Sequence, residues 1–598
     1  MITPKHLIEN AKKYPDKAAL SFKDNSGNWV PQSWSEFYNS TELISKSLIA
    51  CGVSKNDKVS IYSYNRKEWV ECYAAIQIIN AAAVGVYHTC SSSEVEWIVN
   101  NSESKIVFVG NNPGDNGENE KMPVHRLNQI IDQLQGIEMI VLMDGVDQIS
   151  NEKVVTWEQF LEKGKNLDAQ QVMSRLDGID SNDTASIIYT SGTTGNPKGV
   201  ELTHHNFNFE LDCLLSFLRY DQGEKFISWL PGAHVFGQAL DNHYWIRTAM
   251  HMFIADNPLN TVDIAKEIQP SLFISVPRVY EKVYSNLKSA VDSKAILKYG
   301  LKLPVLNKLL IKKLRAAAGF GNLKFAISGA APINPDILRF FQSLDIPVYE
   351  GWGLTETTAG ATLNYWNENN KIGSVGKIFP NTEIKVADDG ELLLKGDNIM
   401  KGYYNNPEAT NTDIIDGWFH TGDVGKVDEE GFVFITGRKK EIYVSSSGKN
   451  IAPLVIEETM KSIPLISQCF LIGDDKKYCS ALFTLDVGVI LRDKIGIDIN
   501  TIPKDPLQQI KMLEDSSHTL SDFTDNEDIF NEIKESVNKL NMEFSNPEQI
   551  KKFKILPRDF TIDDGELTPT LKIRRKQINE NWSKAIQSLY VSENVNDG

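Results

Sequence analysis

The chain has 598 residues, of which 41% are hydrophobic and 24% charged, and its formal net charge is −17 at pH 7. Because this length exceeds what one hydrophobic core usually serves, we expect several domains of an ordinary globular protein. The acidic excess argues against a nucleic-acid-binding protein, since no broad cationic surface would displace counterions from phosphates.

The N-terminal segment, MITPKHLIENAKKYPDK, lacks the apolar core of a signal peptide. The most apolar long stretch, residues 74–87, is too short to span a bilayer and contains Gln and Asn. The six cysteines form no C-x-x-C pair and no zinc-ligand spacing with histidines, which is typical of a reducing compartment without a structural metal site. We therefore expect a soluble cytoplasmic protein, with peripheral membrane contact left open and the oligomeric state unassigned.

Short apolar runs rich in β-branched residues alternate with helix-like segments through most of the chain. Examples are KVSIYSY, KIVFVG, SLFISVP, KFAISGA and IPVYEGWG. Several of these runs end in Gly, Pro or Ser just before a helical pattern, which predicts βα units and a largely parallel sheet. In such sheets ligands bind outside the carboxyl ends of the strands.

The stretch YTSGTTGNPKGV follows one of these apolar runs, ASIIY. Glycines after a strand let the backbone turn sharply and present N–H groups to an anion, and the hydroxyl residues and Lys198 add further donors. The stretch is therefore a candidate phosphate-binding loop, although it lacks the Walker spacing. A flexible surface turn is the alternative for such a loop taken alone.

Three later stretches carry further candidate ligand groups. YEGWGLTET places Trp352 where its ring could stack on a base and Glu356 where a cation could bind. WFHTGD ends in Asp423, a carboxylate suited to accept hydrogen bonds from ribose hydroxyls. GELTPTLKIRR carries Lys572 in a turn-like segment.

After about residue 381 the pattern changes to hairpins with Asp-Gly and Glu-Gly turns, and a smaller α+β unit is expected after GRKKE. In that unit five apolar residues recur at helical spacing and predict one amphipathic helix: Ile529, Ile533, Val537, Leu540 and Phe544. The polar, acidic stretch 495–528 is expected to be a surface insertion.

Taken together, the chain resembles the acyl-adenylate-forming (AMP-binding) enzymes, most closely the long-chain fatty acyl-CoA synthetases. The matching stretches are YTSGTTGNPKGV, SGAAP, YEGWGLTET, TGD, GRKK and LTPTLKIRR, in the family's order, and residues 64–89 resemble its N-terminal region. The resemblance implies an α/β large domain, residues 1–438, of mostly parallel sheets flanked by helices plus a β-rich subdomain. A smaller, mobile α+β domain, residues 439–598, would carry the catalytic lysine.

The resemblance also assigns roles to individual residues. Glu356 would bind magnesium, with Thr355 beside it on the phosphates, and His234 would lie near the substrate carbonyl. Lys572 would drive adenylation. The residues that would contact the phosphates are Ser191, Gly192, Thr193, Thr194, Gly195 and Lys198. The residues that would line the adenine and acyl site are Gly329, Ala330, Ala331, Glu350, Gly351 and Trp352. The residues that would bind the ribose or form the hinge are Asp423, Arg438 and Lys440.

The implied activity is ATP-dependent activation of a long-chain fatty acid to an acyl-adenylate, followed by transfer of the acyl group to coenzyme A. ATP, Mg²⁺, coenzyme A and a fatty acid would then be the partners, without nucleic acid. Two alternatives are a fatty acyl-AMP ligase that passes the adenylate to a carrier protein, and a nucleotide-binding scaffold without turnover. The chain departs from some long-chain members at Gln238, four positions after His234, where they have an aromatic gate, so no acyl chain length is predicted.

Overall fold

The computed structural model describes residues 1–112, 120–143, 149–190, 196–301, 303–444, 450–474, 476–498, 501–562, 564–568 and 572–590. The strands are, in chain order, β1 (Ala18–Lys23), β2 (Trp29–Ser33), β3 (Lys58–Ser63), β4 (Ala82–Val86), β5 (Ser104–Gly110), β6 (Met139–Leu142), β7 (Val154–Thr156), β8 (Thr184–Thr190), β9 (Lys198–Thr203), β10 (Lys225–Ser228), β11 (His251–Ile254), β12 (Leu272–Ser275), β13 (Phe325–Ser328), β14 (Val348–Trp352), β15 (Thr362–Leu363), β16 (Lys377–Ile378), β17 (Glu383–Val386), β18 (Glu391–Lys395), β19 (Gly402–Tyr403), β20 (Ile414–Ile415), β21 (Trp418–Val427), β22 (Val433–Arg438), β23 (Tyr443–Val444), β24 (Asn450–Ile451), β25 (Ile466–Ile472), β26 (Cys479–Leu485) and β27 (Ile550–Ile555).

The α-helices are, in the same order, α1 (Thr3–Lys13), α2 (Trp34–Ala50), α3 (Lys67–Ile78), α4 (Ser92–Asn101), α5 (Pro123–Asn128), α6 (Trp157–Gly164), α7 (Ala169–Asp177), α8 (His204–Phe217), α9 (Val235–Gly237), α10 (Trp245–Thr248), α11 (Thr261–Ile268), α12 (Pro277–Ser293), α13 (Ala295–Gly300), α14 (Pro304–Ala317), α15 (Pro335–Ser343), α16 (Pro407–Asp413), α17 (Pro453–Met460), α18 (Val487–Val489), α19 (Pro506–Asp515), α20 (Ser521–Thr524), α21 (Glu527–Asn541), α22 (Arg575–Asn581) and α23 (Ser583–Ser588). Two further segments, Gln238–Tyr244 and Ile490–Ile495, are π-helical. Along the described parts of the chain, no helix is both long and apolar enough to cross a bilayer.

Two large sheets contain most of the strands before residue 404. The eight-stranded sheet has the order β19-β9-β8-β4-β3-β5-β6-β7, and the nine-stranded sheet the order β16-β15-β14-β13-β12-β10-β11-β1-β2. Their central strands pair in parallel, whereas β9, β19, β2, β15 and β16 pair antiparallel at the margins. Strands buried on both faces read as continuous apolar runs, which is why the βα pattern was visible in the sequence.

A third sheet, of five strands, has the order β17-β18-β21-β20 with β22 also paired to β21. In the C-terminal part, β25, β26 and β27 form a three-stranded sheet, and its core includes residues of α17 and α21. These features confirm the predicted α/β class with a β-rich subdomain and a smaller α+β C-terminal part.

Contacts divide the chain into two units. The first consists of Met1–Lys385, Leu393–Thr421 and Asp428–Val433, and the second of Val386–Leu392, Gly422–Val427 and Phe434–Gly598. The domain boundary expected between residues 438 and 439 stays a prediction.

Two expectations for the C-terminal part are corrected in detail. The amphipathic helix α21 ends at Asn541, so Phe544 follows it and packs on the same core from outside the helix. The acidic stretch 495–528 is not only surface, because Leu513 of α19 and Phe523 of α20 are buried in that core. Single apolar residues within a polar stretch carry too weak a periodic signal to reveal such burial.

Candidate functional site

Lys198 is the first residue of β9 and pairs with Thr190, the last residue of β8. The residues from Lys198 onward therefore pair with ASIIY as an antiparallel strand. Residues 191–195, which include the predicted phosphate contacts Ser191, Gly192, Thr193, Thr194 and Gly195, lie outside the described residues. Lys198 Nζ donates a hydrogen bond to Asp413 Oδ2 across 2.9 Å and lies 3.7 Å from the centroid of the Tyr403 ring.

Tyr403 brings Lys198 and Glu356 to the same place. It lies on β19, which pairs antiparallel with β9 so that Tyr403 is opposite Val200. Its hydroxyl lies 2.9 Å from Glu356 Oε1 and 2.9 Å from Asp413 Oδ2. Burial and the two carboxylates raise the pKa of Tyr403, so its hydroxyl stays protonated at neutral pH. Tyr403 thus contacts both the predicted phosphate lysine, Lys198, at its ring face and the predicted metal ligand, Glu356, at its hydroxyl.

The loop that carries Thr355 and Glu356 is closely packed. It forms a 3₁₀ turn, Thr355–Thr357, and leaves it through Thr358 and Ala359, whose φ angles are +58° and +93°. A Cβ on Gly353 would lie 2.7 Å from Gly360 Cα and closer still to the carbonyl oxygen of Ala359. Only glycine therefore fits at position 353, and this close approach fixes the course of the loop.

The same loop is fixed from outside by hydrogen bonds. The Thr358 hydroxyl donates to the carbonyl of Asn398 across 2.7 Å, and the Asn398 amide donates to the carbonyl of Gly360 across 3.1 Å. The backbone amide of Met400 donates to the carbonyl of Glu356 across 2.8 Å. The segment leading into β19 therefore supports the loop that presents Glu356.

The predicted adenine-site residues converge at the carboxyl ends of β13 and β14. Ser328, the last residue of β13, pairs with Glu350, and Trp352 is the last residue of β14. A Cβ on Gly329 would lie 3.7 Å from the carbonyl oxygen of Gly351. The structure thus brings the SGAAP turn, including exposed Ala330 and Ala331, next to YEGWG.

Glu350 is a buried carboxyl group at this position, 6% exposed. Its Oε1 accepts a hydrogen bond from the backbone amide of Ile333 across 3.4 Å. Burial raises the pKa of Glu350 to about 8, so the group is mostly neutral at pH 7. A neutral carboxyl can both donate and accept a hydrogen bond, as recognition of a base edge requires.

His234 caps helix α9, and its Nδ1 accepts a hydrogen bond from the backbone amide of Phe236 across 3.2 Å. The Phe236 ring lies 3.5 Å from where a Cβ on Gly329 would be. Phe236 therefore contacts both His234 and the SGAAP turn. Gln238 is fully buried, and its Oε1 accepts hydrogen bonds from Tyr73 and Ser186. Position 238 is therefore part of a buried polar network.

In the second unit, Arg438 Nε forms an ion pair with Asp423 Oδ1 across 2.7 Å. The turn before Asp423 is held by Glu391, whose Oε1 accepts from the amide of Gly422 across 2.9 Å and whose Oε2 pairs with Lys439 across 2.9 Å. Glu391 is 4% exposed. The two residues predicted to bind the ribose, Asp423 and Arg438, thus contact each other directly. Lys440, two residues after Arg438, is exposed.

Lys572 is exposed, and its backbone is anchored. Its carbonyl accepts from the amide of Thr568 across 2.8 Å, and its amide donates to the Thr568 hydroxyl across 3.0 Å. Leu567 pairs with Ile573, and the amide of Arg574 donates to the carbonyl of Glu566. These contacts join residues 566–568 to residues 572–574 and hold the backbone of Lys572 itself.

Sequence reasoning missed four residues that support the candidate site: Tyr403, Asp413, Asn398 and Glu391. Each acts through a pairing of strands or loops that are distant in the chain. A tyrosine in KGYYNNPEAT or a glutamate in a hairpin carries no local signal that distinguishes it from its neighbours.

The comparisons with known proteins agree with this geometry. The AMP-binding enzyme family matches residues 7–404, and the AMP-binding enzyme C-terminal domain matches residues 508–594. The chain is similar to the long-chain-fatty-acid–CoA ligase FadD15 of Mycobacterium bovis, 34% identical over 595 residues that cover 95% of this chain and 93% of the relative. It is also similar to the long-chain-fatty-acid–CoA ligase ACSBG2 of Xenopus laevis, 30% identical, with 97% of this chain and 82% of the relative covered.

Among solved structures, the fold is similar to that of the o-succinylbenzoate coenzyme A synthetase of Bacillus subtilis in complex with ATP and magnesium ion. The TM-score is 0.65 at 20% identity, and the match covers 96% of this chain and 99% of that chain. The resemblance drawn from the motifs, to acyl-adenylate-forming enzymes close to the long-chain fatty acyl-CoA synthetases, is confirmed. The chain belongs to the AMP-binding enzyme family.

Proposed function

We propose that this protein is an ATP-dependent long-chain fatty acid–CoA ligase that works through an acyl-adenylate. The observation that carries the proposal is the convergence of Lys198 and Glu356 on Tyr403, because it brings a phosphate-binding cation and a metal-binding carboxylate together. The long-chain-fatty-acid–CoA ligases that are 34% and 30% identical over nearly the whole chain supply the substrate class.

The first half-reaction joins the fatty acid to AMP. A carboxylate oxygen attacks the α-phosphorus of ATP, and the bond from that phosphorus to the pyrophosphate oxygen breaks with its electron pair. Because two anions must approach each other, the barrier is largely electrostatic. Lys198 and Lys572 would offset negative charge on the phosphates, and no nucleophilic side chain is needed.

Magnesium fits the groups present beside the phosphate lysine. Glu356 uses Oε1 to accept from Tyr403, and its other carboxylate oxygen accepts no hydrogen bond from the residues that the structure describes. A hard carboxylate oxygen is the kind of ligand that Mg²⁺ binds together with substrate phosphates. Glu356 would hold the ion, with Thr355 on the phosphates, and the bound ion would neutralise part of the triphosphate charge.

The nucleoside would be bound by the remaining candidate residues. Trp352 at the end of β14 offers an aromatic face to adenine, and neutral Glu350 offers a donor and an acceptor. Asp423 would accept hydrogen bonds from ribose hydroxyls while Arg438 holds its carboxylate. Lys440 would be the hinge residue.

In the second half-reaction the thiol of coenzyme A attacks the acyl carbonyl carbon of the mixed anhydride. The thiol proton is released to water, the bond from that carbon to the AMP oxygen breaks, and AMP leaves with the electron pair as the thioester forms. His234, next to the SGAAP turn through Phe236, is the proposed neighbour of the carbonyl.

The two half-reactions are tested separately with purified protein. Oleate and ATP without coenzyme A should support exchange of labelled pyrophosphate into ATP, and addition of coenzyme A should yield oleoyl-CoA and AMP. Exchange without thioester formation would instead identify a fatty acyl-AMP ligase. Absence of exchange with every carboxylic acid offered would identify a nucleotide-binding protein without turnover.

A further inference from the structure

Asp413, the last residue of α16, is the centre of a set of contacts around the phosphate lysine. Its Oδ2 accepts hydrogen bonds from Lys198 Nζ and from the Tyr403 hydroxyl, each across 2.9 Å. Lys198 Nζ also lies 3.7 Å from the centroid of the Tyr403 ring. Lys198 is therefore held from two sides, by a carboxylate and by an aromatic face.

The Tyr403 hydroxyl has two acceptors and one hydrogen. Glu356 Oε1 and Asp413 Oδ2 both lie 2.9 Å from the phenolic oxygen. A hydroxyl group makes a well-aligned hydrogen bond to only one acceptor at a time. Glu356 and Asp413 thus compete for the same hydrogen. A carboxylate that pairs with a cation is the weaker acceptor for it, because the cation already neutralises its charge.

The contacts join the two groups that the nucleotide would use. The Asp413 carboxylate, 2.9 Å from the Lys198 ammonium, neutralises part of its charge and would repel an incoming phosphate, so a bound phosphate competes with Asp413 for Lys198. The side chains of Lys198 and Asp413 are 32% and 30% exposed, so solvent reaches the pair and its strength is modest. A pair of this strength can be exchanged for a ligand contact.

We propose that Asp413 restrains Lys198 until ATP binds, and that ATP takes Lys198 away from it. The inference rests on the proposed role of Lys198 at the ATP phosphates. When Lys198 leaves, Asp413 loses its cation and becomes the stronger acceptor for the Tyr403 hydrogen, which frees Glu356 from that donor. Asp413 is a positioning residue that lowers the affinity for ATP and links the position of Lys198 to the availability of Glu356.

The test is Asp413→Asn in the full chain, since asparagine keeps the shape and removes the charge. The Kd for ATP is measured by calorimetry without fatty acid, so that no turnover contributes. Asp413→Asn should bind ATP about two- to fivefold more tightly than the wild type, the range of a partly exposed ion pair. Asp413→Ala should lower the Kd for ATP as well, provided that its melting temperature matches that of the wild type.

The matched control is Lys401→Gln, which removes the neighbouring ion pair of Lys401 with Glu201 and should leave the Kd unchanged. Lys198→Met should weaken ATP binding, and adding Asp413→Asn to it should bring no gain. A gain that persists in the double variant, or a Kd that is unchanged or raised in both Asp413 variants, would overturn the restraint and leave the proposed function standing. Unchanged ATP binding by Lys198→Met would overturn the proposed role of Lys198 and this inference with it.

Discussion

Arg438 Nε forms an ion pair with Oδ1 of Asp423 across 2.7 Å, and the Asp423 side chain is only 5% exposed. The preceding turn is fixed as well, because the amide of Gly422 donates to Glu391. Asp423 is thereby held in one orientation. An oriented carboxylate distinguishes a ribose hydroxyl from a hydrogen, since the hydroxyl can donate a hydrogen bond to it and the hydrogen of a deoxy compound cannot.

We expect the wild type to prefer ATP over its 2′- or 3′-deoxy analogue, and Asp423→Ala to lose that preference. The preference should be about tenfold or more in kcat/KM, the size of one hydrogen bond to a charged group. Steady-state kinetics with the three nucleotides measure it. Asp389→Asn, which affects an exposed partner of Lys439 in the same unit, should keep the wild-type ratio. An Asp423→Ala protein that still discriminates would remove Asp423 from the ribose site.

Lys572→Ala should separate the half-reactions. The rate of adenylate formation should fall by about 10²-fold or more, because the positive charge that would stabilise the negative charge developing on the phosphates is lost. Thioester formation from supplied acyl-adenylate and coenzyme A should be largely retained. Lys576→Ala, an exposed lysine of α22, is the control. Equal loss in both half-reactions by a folded Lys572→Ala protein would contradict the assignment.

Gly353→Ala should damage the loop that carries Glu356. The new Cβ would lie 2.7 Å from Gly360 Cα, so the backbone must shift at a cost of about 1–3 kcal/mol. We expect a raised KM for ATP and a lower urea midpoint. Gly178→Ala, whose Cβ would lie 3.4 Å or more from its neighbours, should change neither quantity, and wild-type kinetics for Gly353→Ala would contradict the packing argument.

Glu350 should make stability depend on pH. Burial raises the pKa of Glu350 to about 8, so the folded protein keeps a proton that the unfolded chain releases above about 4.3. Its contribution to stability is complete below the unfolded pKa and is lost as the pH rises to about 8. The stability of Glu350→Gln relative to the wild type should therefore increase by about 4 kcal/mol between pH 4.5 and pH 8.

Urea unfolding of both proteins without nucleotide, at steps across this pH range, measures that difference. Comparing Glu350→Gln with the wild type at each pH removes the contributions of other buried carboxyl groups. A difference that stays constant from pH 4.5 to 8 would mean that the carboxyl group of Glu350 titrates in the folded protein as it does in water.

Arg575 should be essential for the stability of the second unit. It donates to Glu457 Oε2 across 2.5 Å, and Glu457 is 3% exposed. Arg575→Met would leave that carboxylate buried without its cation, which costs about 3–5 kcal/mol. Limited proteolysis and urea unfolding measure the loss. Arg339→Met, which breaks a pair with Asp336 that is exposed on both sides, should cost about 0–1 kcal/mol.

The local patterns predicted the elements better than the contacts between them. Strands such as β5 are buried along most of their length. Their continuous apolar runs therefore predict the strands, and the spacing of these runs predicts the βα alternation. The meeting of Lys198 with Glu356 depends on the pairing of β9 with β19, which no local pattern encodes. Burial of Leu513 and Gln238 likewise depends on what packs over them.

Thioester formation from a panel of carboxylic acids, from acetate to oleate, tests the central claim most directly. Purified protein, ATP, magnesium and each acid are incubated with and without coenzyme A, and acyl-CoA, AMP and pyrophosphate are quantified by mass spectrometry and coupled assays. The account predicts long-chain acyl-CoA with AMP and pyrophosphate in equal amounts, and no thioester without ATP. Failure to form any acyl-CoA from a long-chain acid, in protein that is folded and binds ATP, would contradict it.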